Sequence, residues 1–150
     1  MTPKYYLALF NQSSWREFLH NGGNIYGTNN SKINVAKKIN IGDYLFCYIT
    51  GVSEFVGVLE VTSPSYSDRQ SRWQTGYFPV RLNVKIIENL NDCSPVKVSE
   101  LRDKLSIFKN LKNPKIWGRF FGNTFNEFSS IDGEIIMQEI RKKKKKNNLL

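Results

Sequence analysis

The chain has 150 residues, of which 40% are hydrophobic, 13% aromatic and 23% charged, and its formal net charge is +9. This length is typical of one domain with a sizeable core, and no apolar run approaches the roughly 20 residues of a membrane span. The amino-terminal segment does not resemble a signal peptide. We therefore expect a soluble, cytoplasmic protein with no membrane partner.

The positive charge is concentrated near the carboxyl end. Six of the 22 basic residues form the run Arg141–Lys146, and the net charge falls to +3 without it. Runs of like charge are typical of solvated tails, and they also bind phosphates without sequence preference. We expect one domain over residues 1–140 and a disordered basic tail over 141–150, in which Lys142 and Lys143 are candidate phosphate contacts.

The first third of the chain predicts a strand, two helices and a hairpin. The apolar run "KYYLALF" favours a strand, and "SSWREFLH" favours a helix with Ser14 and Glu17 at capping-box spacing. Gly22-Gly23 ends this helix. "INVAKKI" is compatible with a short helix, and the apolar runs in residues 44–62 indicate a β-hairpin.

The remaining elements are a strand and several helical segments. Apolar residues alternate with Pro79, Arg81, Asn83 and Lys85 over residues 78–86, which indicates a strand with one buried face. Residues 99–105 favour a weak helix, "NPKIWGRFFG" a helical turn, and a last helix opens at Asp132. Together these elements predict an α+β fold, a curved and mainly antiparallel sheet that forms a small barrel with flanking helices.

The sequence contains no recognisable catalytic or metal-binding motif. His20 is the single histidine, and it lies at the end of a predicted helix without an acidic partner nearby except Glu17. No nucleophile elbow or phosphate-binding glycine loop is present, and Cys47 and Cys93 have no metal-ligand spacing. We therefore expect a binding protein and not an enzyme, with no metal and no cofactor.

Three aromatic residues stand among loop-forming neighbours. Tyr26 lies in "NIYGTNNSK", Tyr66 in "SPSYSD" and Trp73 in "SRWQTGYF". Two aromatic faces about 7 Å apart can enclose a planar base, and each stacking contact contributes about 1–3 kcal/mol. Thr28 with Asn29 or Asn30 would then bind the edge of that base. Ordinary packing of the loops is the alternative interpretation.

The order of motifs resembles a known family. "IYGT" is followed by "INIGDYLFCYITGVSEFVGVLEVTSPSY", then by "YFPVRLNVKII" and finally by "IWGRFFGNTFNEFSSIDGEIIMQEI". This succession is similar to the EVE-domain proteins of the PUA-like superfamily, which are related to YTH domains. The resemblance covers about residues 4–140. It implies a barrel-like curved sheet and a pocket for a base that carries a small modification, such as a methyl group.

The resemblance also implies roles for individual residues. Tyr26 matches the first aromatic residue of the base cage, with Tyr66 or Trp73 as the second wall and Tyr66 slightly preferred. The other residues implied at the pocket are Asn11, Gly27, Thr28 and Asn29. Arg119 would reach a phosphate or the pocket rim, and Lys32 is a further candidate phosphate contact.

Several functional alternatives remain open at this point. The main hypothesis is a reader of a modified base in DNA or RNA, which binds a flipped or unpaired nucleotide. The second is an RNA-associated accessory protein that touches nucleic acid through its basic tail alone. An enzyme acting on a modified nucleobase is the third. An effector nuclease or an NTPase is a possible protein partner of the first.

Overall fold

The computed structural model describes residues 2–110 and 118–148. Within them the chain forms an eight-stranded sheet and four α-helices. The strands are β1 (Tyr5–Phe10), β2 (Ile25–Thr28), β3 (Tyr44–Ile49), β4 (Glu54–Val61), β5 (Tyr66–Ser67), β6 (Val80–Asn89), β7 (Val96–Lys97) and β8 (Glu127–Phe128). The helices are α1 (Gln12–His20), α2 (Ile33–Ala36), α3 (Ser106–Asn110) and α4 (Ser130–Asn148), and short 3-10 helices span Asn30–Lys32 and Val98–Leu101.

The sheet is mixed and curled. Its strand order is β2-β6-β4-β3-β1-β8, with β5 also paired to β6 and β7 to β4. The β1–β3 pair is parallel, and the other described pairs are antiparallel. This confirms the α+β class and the hairpin over residues 44–62. Because β2 and β8 are the two ends of the strand path, the curled sheet is a half-barrel and not a closed barrel.

Both faces of the central strands are buried, which explains their nearly continuous apolar sequences. Tyr6, Ala8 and Phe10 of β1 belong to an apolar cluster with α1, α2 and β2. Tyr5 and Leu7 of the same strand belong to a second cluster, which α3 and α4 cover. The candidate site described below borders the first cluster, so α1 and β2 determine its position.

Helix α1 begins earlier than the capping-box prediction. Asn11 is its N-cap, since Asn11 Oδ1 accepts a hydrogen bond from Ser14 N at 2.8 Å and Ser14 Oγ accepts one from Asn11 N at 2.9 Å. Asn11 and Ser14 therefore form the capping box, and Glu17 has a different role. The helix ends as predicted, because Gly22 and Gly23 have φ values of +103° and +64°.

The basic carboxyl end differs from the expected disordered tail. Helix α4 continues through Asn148, so residues 141–148 are helical. Lys143 lies 3.0 Å from Glu100, and Lys144 Nζ donates to the carbonyl oxygen of Asn89 at 3.1 Å. These contacts and the ion pair between Lys142 and Glu139 at 3.3 Å attach this helical end to the domain and to α4 itself.

Two sequence predictions concern segments near the chain end. The predicted helical turn around Trp117 falls partly on residues 111–117, which lie outside the described residues. The last helix begins at Ser130 instead of Asp132. No helix in the described ranges has the length and apolar character needed to cross a membrane.

Candidate functional site

A cavity of about 240 Å³ opens between α1, β2 and the segment that precedes β6. Drug-sized ligands occupy pockets of roughly 300–1,000 Å³, so this volume favours one small ring system. The aromatic lining consists of Phe10, Phe18, Tyr26, Trp73 and Phe78. The polar lining includes Ser14, Thr28, Asn29, Lys32, Thr75 and Thr124.

Tyr26 borders this cavity from the side of the hydrophobic core. Its ring is 4% exposed and packs edge-to-face against Phe10 at 5.2 Å and Phe125 at 5.6 Å. Its hydroxyl donates to the Leu9 carbonyl at 3.1 Å and lies 2.6 Å from Thr124 Oγ1. Burial raises the pKa of this phenol well above its ordinary value. The sequence predicts a ring in a loop with a free stacking face, whereas the structure places it in β2 as part of the core.

Gly27 brings β2 into direct contact with Trp73. A Cβ at Gly27 would lie 2.5 Å from Cη2 of Trp73 and 2.9 Å from Cβ of Phe78. Carbon atoms in favourable contact are about 3.5–4.0 Å apart, so there is no space for a side chain at this position. Trp73 is 8% exposed, and its ring is T-shaped against Phe78 at 5.6 Å. Trp73 therefore forms an aromatic wall of the cavity beside Gly27.

Three predicted polar residues also line the cavity. Thr28 is buried, and Asn29 caps the following 3-10 helix through a hydrogen bond from Ser31 N to Asn29 Oδ1 at 3.1 Å. Lys32 Nζ donates to Asn123 Oδ1 at 3.3 Å. Among the described lining residues, Lys32 is the one that carries a formal charge. The cavity is therefore weakly positive as well as aromatic.

Tyr66 does not reach the cavity, so the preference for Tyr66 over Trp73 is reversed. Arg81 of β6 pairs with Gly27 of β2 on one side and with Tyr66 of β5 on the other. Strand β6 therefore separates Tyr66 from β2 by two strand spacings, about 10 Å. The Tyr66 hydroxyl instead donates to Asn83 Oδ1 at 2.6 Å.

Two other predicted residues lie outside the lining. The amide oxygen of Asn11 caps α1, which uses the acceptor expected to bind a base edge, and Asn11 lies at a separate shallow cleft. Arg119 is exposed and does not line the cavity, although Gly122 three residues later does. The sequence could not exclude Asn11, because a residue after a strand can equally be a helix cap.

The candidate phosphate contacts Lys142 and Lys143 are remote from the cavity. Their neighbour Lys144 binds the carbonyl of Asn89 at the end of β6, whereas Arg81 near the start of β6 lies beside Trp73. Eight residues of extended strand span about 26 Å. A nucleic acid would therefore contact these lysines several nucleotides away from a base held in the cavity.

Several lining residues were missed in the sequence analysis. Phe10, Phe18 and Phe78 have the patterns of ordinary core residues, and Thr124 has no distinctive pattern. Arg81 was expected on an exposed strand face, but it is 3% exposed and its guanidinium lies 4.9 Å from the Trp73 ring centroid. The alternating pattern contains no signal that separates Arg81 from the other polar residues of its strand.

The ionisable residues considered for catalysis do not converge. His20 is exposed at the end of α1. Cys47 is buried and Cys93 is half-buried, and both are free thiols. In the part of the chain that the structure describes, no group of three or more His, Cys, Asp or Glu residues is placed to hold a metal ion.

Solved structures with a similar fold include YTH domains and bacterial proteins. The Mmi1 YTH domain in complex with RNA has a TM-score of 0.65 and 12% identity, and the match covers 97% of this chain and 82% of that one. A protein from Rhodopseudomonas palustris, solved by NMR, has a TM-score of 0.62 and 17% identity over 92% and 93% of the two chains. A protein from Agrobacterium tumefaciens has a TM-score of 0.58 and 16% identity over 91% and 92%. These identities show a common fold.

Sequence comparison extends this result to a family. No curated protein sequence matches the chain. The family model described as "EVE domain" matches residues 4–144, which includes every strand of the sheet and the cavity. The chain therefore belongs to the EVE domain family.

Proposed function

We propose that this chain is a nucleic-acid-binding module and that its cavity accepts one nucleobase carrying a small modification, such as a methyl group. The base would be flipped out of a duplex or taken from an unpaired strand. The cavity itself carries the proposal, since Trp73 forms an aromatic wall and Thr28, Asn29 and Thr75 supply hydrogen-bonding groups. Membership of the EVE family and the fold shared with a YTH domain solved in complex with RNA support it.

The energies of such binding are compatible with this site. Extracting a base costs a few kcal/mol, and stacking on one aromatic side chain contributes about 1–3 kcal/mol. Hydrogen bonds to the base edge supply the rest. A buried methyl group adds about 0.8 kcal/mol, which corresponds to about a fourfold preference for the modified base.

Lys32 is the residue best placed to contact the backbone of the bound nucleotide. It lines the cavity, and its described partner is the neutral amide of Asn123, at 3.3 Å. The positive charge is therefore not compensated by that contact and is available to a phosphate. The exposed Arg119 is a second candidate for such a contact on the surrounding surface.

A binding panel tests the proposal. The wild type is titrated against oligonucleotides with one methylated adenine or one modified cytosine, as single- and double-stranded DNA and RNA, each beside its unmodified form. Trp73→Ala is expected to weaken binding about 5- to 150-fold, the equivalent of 1–3 kcal/mol. The matched control is Tyr77→Ala, because Tyr77 belongs to the same segment, is 55% exposed and does not line the cavity. Equal binding by a folded Trp73→Ala variant and the wild type would contradict the proposal.

The exposed cations of α4 favour a second candidate function, in which this helix alone binds nucleic acid and the domain packs on a partner protein. Arg141, Lys145 and Lys146 are exposed. Their replacement by Gln leaves the contacts of Lys143 and Lys144 in place, which truncation at residue 140 would not. Base capture predicts a salt dependence reduced by about 0.9 per lost duplex phosphate contact, with the preference for the modified base retained. Loss of all binding favours the accessory function.

A further inference from the structure

Trp73 lies in a segment without regular secondary structure. Residues 68–79, which we call the strap, connect β5 to β6. Trp73 belongs to neither of the two apolar clusters of the domain. Connections of this length are commonly functional when they border a binding site. The position of this cavity wall therefore depends on how the strap is attached to the domain.

Glu17 of α1 binds the two strap residues that follow Trp73. Its Oε2 atom accepts a hydrogen bond from Gln74 N at 2.8 Å, and its Oε1 atom accepts from Thr75 N at 3.2 Å and Thr75 Oγ1 at 2.6 Å. Hydrogen bonds to an ionised group are roughly twice as strong as neutral ones. Burial by itself would raise the pKa of Glu17, but the hydrogen bonds from Thr75 and Gln74 outweigh it and lower this pKa.

Arg81 binds the strap on both sides of Trp73. Its Nε atom donates to the Phe78 carbonyl at 3.0 Å, and its Nη1 atom lies 3.1 Å from Asp68 Oδ2. Its Nη2 atom donates to the carbonyl of Gln70. Because Arg81 is buried in β6, these contacts anchor the strap to the sheet.

We propose that Glu17 is a positioning residue that holds the Trp73 indole in place as a cavity wall before a base binds. This inference rests on the proposed function of the cavity. Glu17 does not line the cavity itself, so it acts through the strap, with Arg81 as the fixed anchor. Ordering the wall in advance reduces the entropy lost on binding. Loss of the Glu17 contacts therefore accelerates dissociation of the base and removes no group that touches it.

The sign of the expected effect separates positioning from simple charge. Glu17→Gln preserves the size of the side chain and removes one negative charge close to the site. Removal of a negative charge by itself strengthens the attraction of a polyanion such as RNA. Weaker binding by Glu17→Gln therefore has the opposite sign to the electrostatic effect. Glu134→Gln is the matched control, since Glu134 is exposed on α4.

The first test measures equilibrium binding and dissociation with a single-stranded RNA that contains one methylated adenine. Glu17→Gln is expected to bind about tenfold more weakly, mainly through faster dissociation, and Glu134→Gln not to bind more weakly. In a Trp73→Ala background, Glu17→Gln is expected to have no further effect. The inference is overturned if Glu17→Gln binds as tightly as the wild type, or if its effect is the same in both backgrounds.

The second test needs no ligand and separates this inference from the proposed function. The amides of Gln74 and Thr75 should exchange hydrogen slowly in the wild type and faster in Glu17→Gln, while the free energy of global unfolding changes little. Failure of the wild type to bind any panel probe would remove the base-binding proposal alone. Equal exchange rates in the two proteins would show that Glu17 does not hold the strap.

Discussion

Gly27→Ala is the sharpest probe of the aromatic wall, because it adds one methyl group and removes nothing. The new Cβ would lie 2.5 Å from Trp73 Cη2, so the indole must move by about 1–1.5 Å to reach an ordinary contact distance. Gly27 lies in a strand and does not have a positive φ. The substitution therefore causes no backbone strain, and its effect is the displacement of Trp73 and Phe78.

The size of the effect follows from this displacement. Overpacking of a filled interior costs about 1–3 kcal/mol of unfolding free energy. A radial gap of 0.5–1 Å loses about a quarter to a half of a van der Waals contact. Applied to a stacking contribution of about 1–3 kcal/mol, this corresponds to about two- to tenfold weaker binding.

Urea unfolding and fluorescence polarisation with a methylated oligonucleotide measure the two effects separately. Gly118→Ala is the matched control, since a Cβ there meets nothing within 4 Å. In the double variant Gly27→Ala/Trp73→Leu the smaller side chain relieves the clash, so stability should recover while binding does not. The reasoning is refuted if Gly27→Ala keeps both the stability and the affinity of the wild type.

Three further predictions concern groups around the two apolar clusters. Tyr26→Phe removes the hydroxyl that contacts Leu9 and Thr124, and it should lower the urea-derived free energy of unfolding by about 1–2 kcal/mol; an unchanged value would contradict the buried contact. Asp132→Asn should lower it by about 1.5–3 kcal/mol, since the buried carboxylate accepts hydrogen bonds from the first residues of α3. Burial raises the pKa of the Cys47 thiol, so a thiol reagent should modify Cys93 first in the native protein, and mass spectrometry of the labelled peptides checks the order.

Much of the fold could be predicted because its signals are local. The apolar run of β1, the hairpin of β3 and β4, and the Gly22-Gly23 helix end each depend on a few consecutive residues. The ordered motifs were enough to indicate the EVE family, and the family model confirms this. Tyr26, Gly27, Thr28, Asn29 and Lys32 were predicted together because they are consecutive or nearly so, and all five line the cavity.

The choice between Tyr66 and Trp73 could not be made from the sequence. Both lie in polar, loop-like surroundings, and the distinction depends on which edge of β6 each segment reaches. Glu17 was interpreted as a local cap for the same reason, because its actual partners lie 57 and 58 residues away. Periodicity and capping patterns report neighbours along the chain and contain no information about such contacts.

The sequence by itself determined the strand and helix segments, the family and one face of the candidate site, since each depends on residues close together in the chain. Tertiary structure alone decided that Tyr26 is a core residue, through a hydroxyl contact with Thr124 98 residues away. It also decided that Trp73 is the aromatic wall and that the basic run is helical. These outcomes depend on the curl of the sheet and on burial, because a side chain's exposure is set by the distant elements that pack over it.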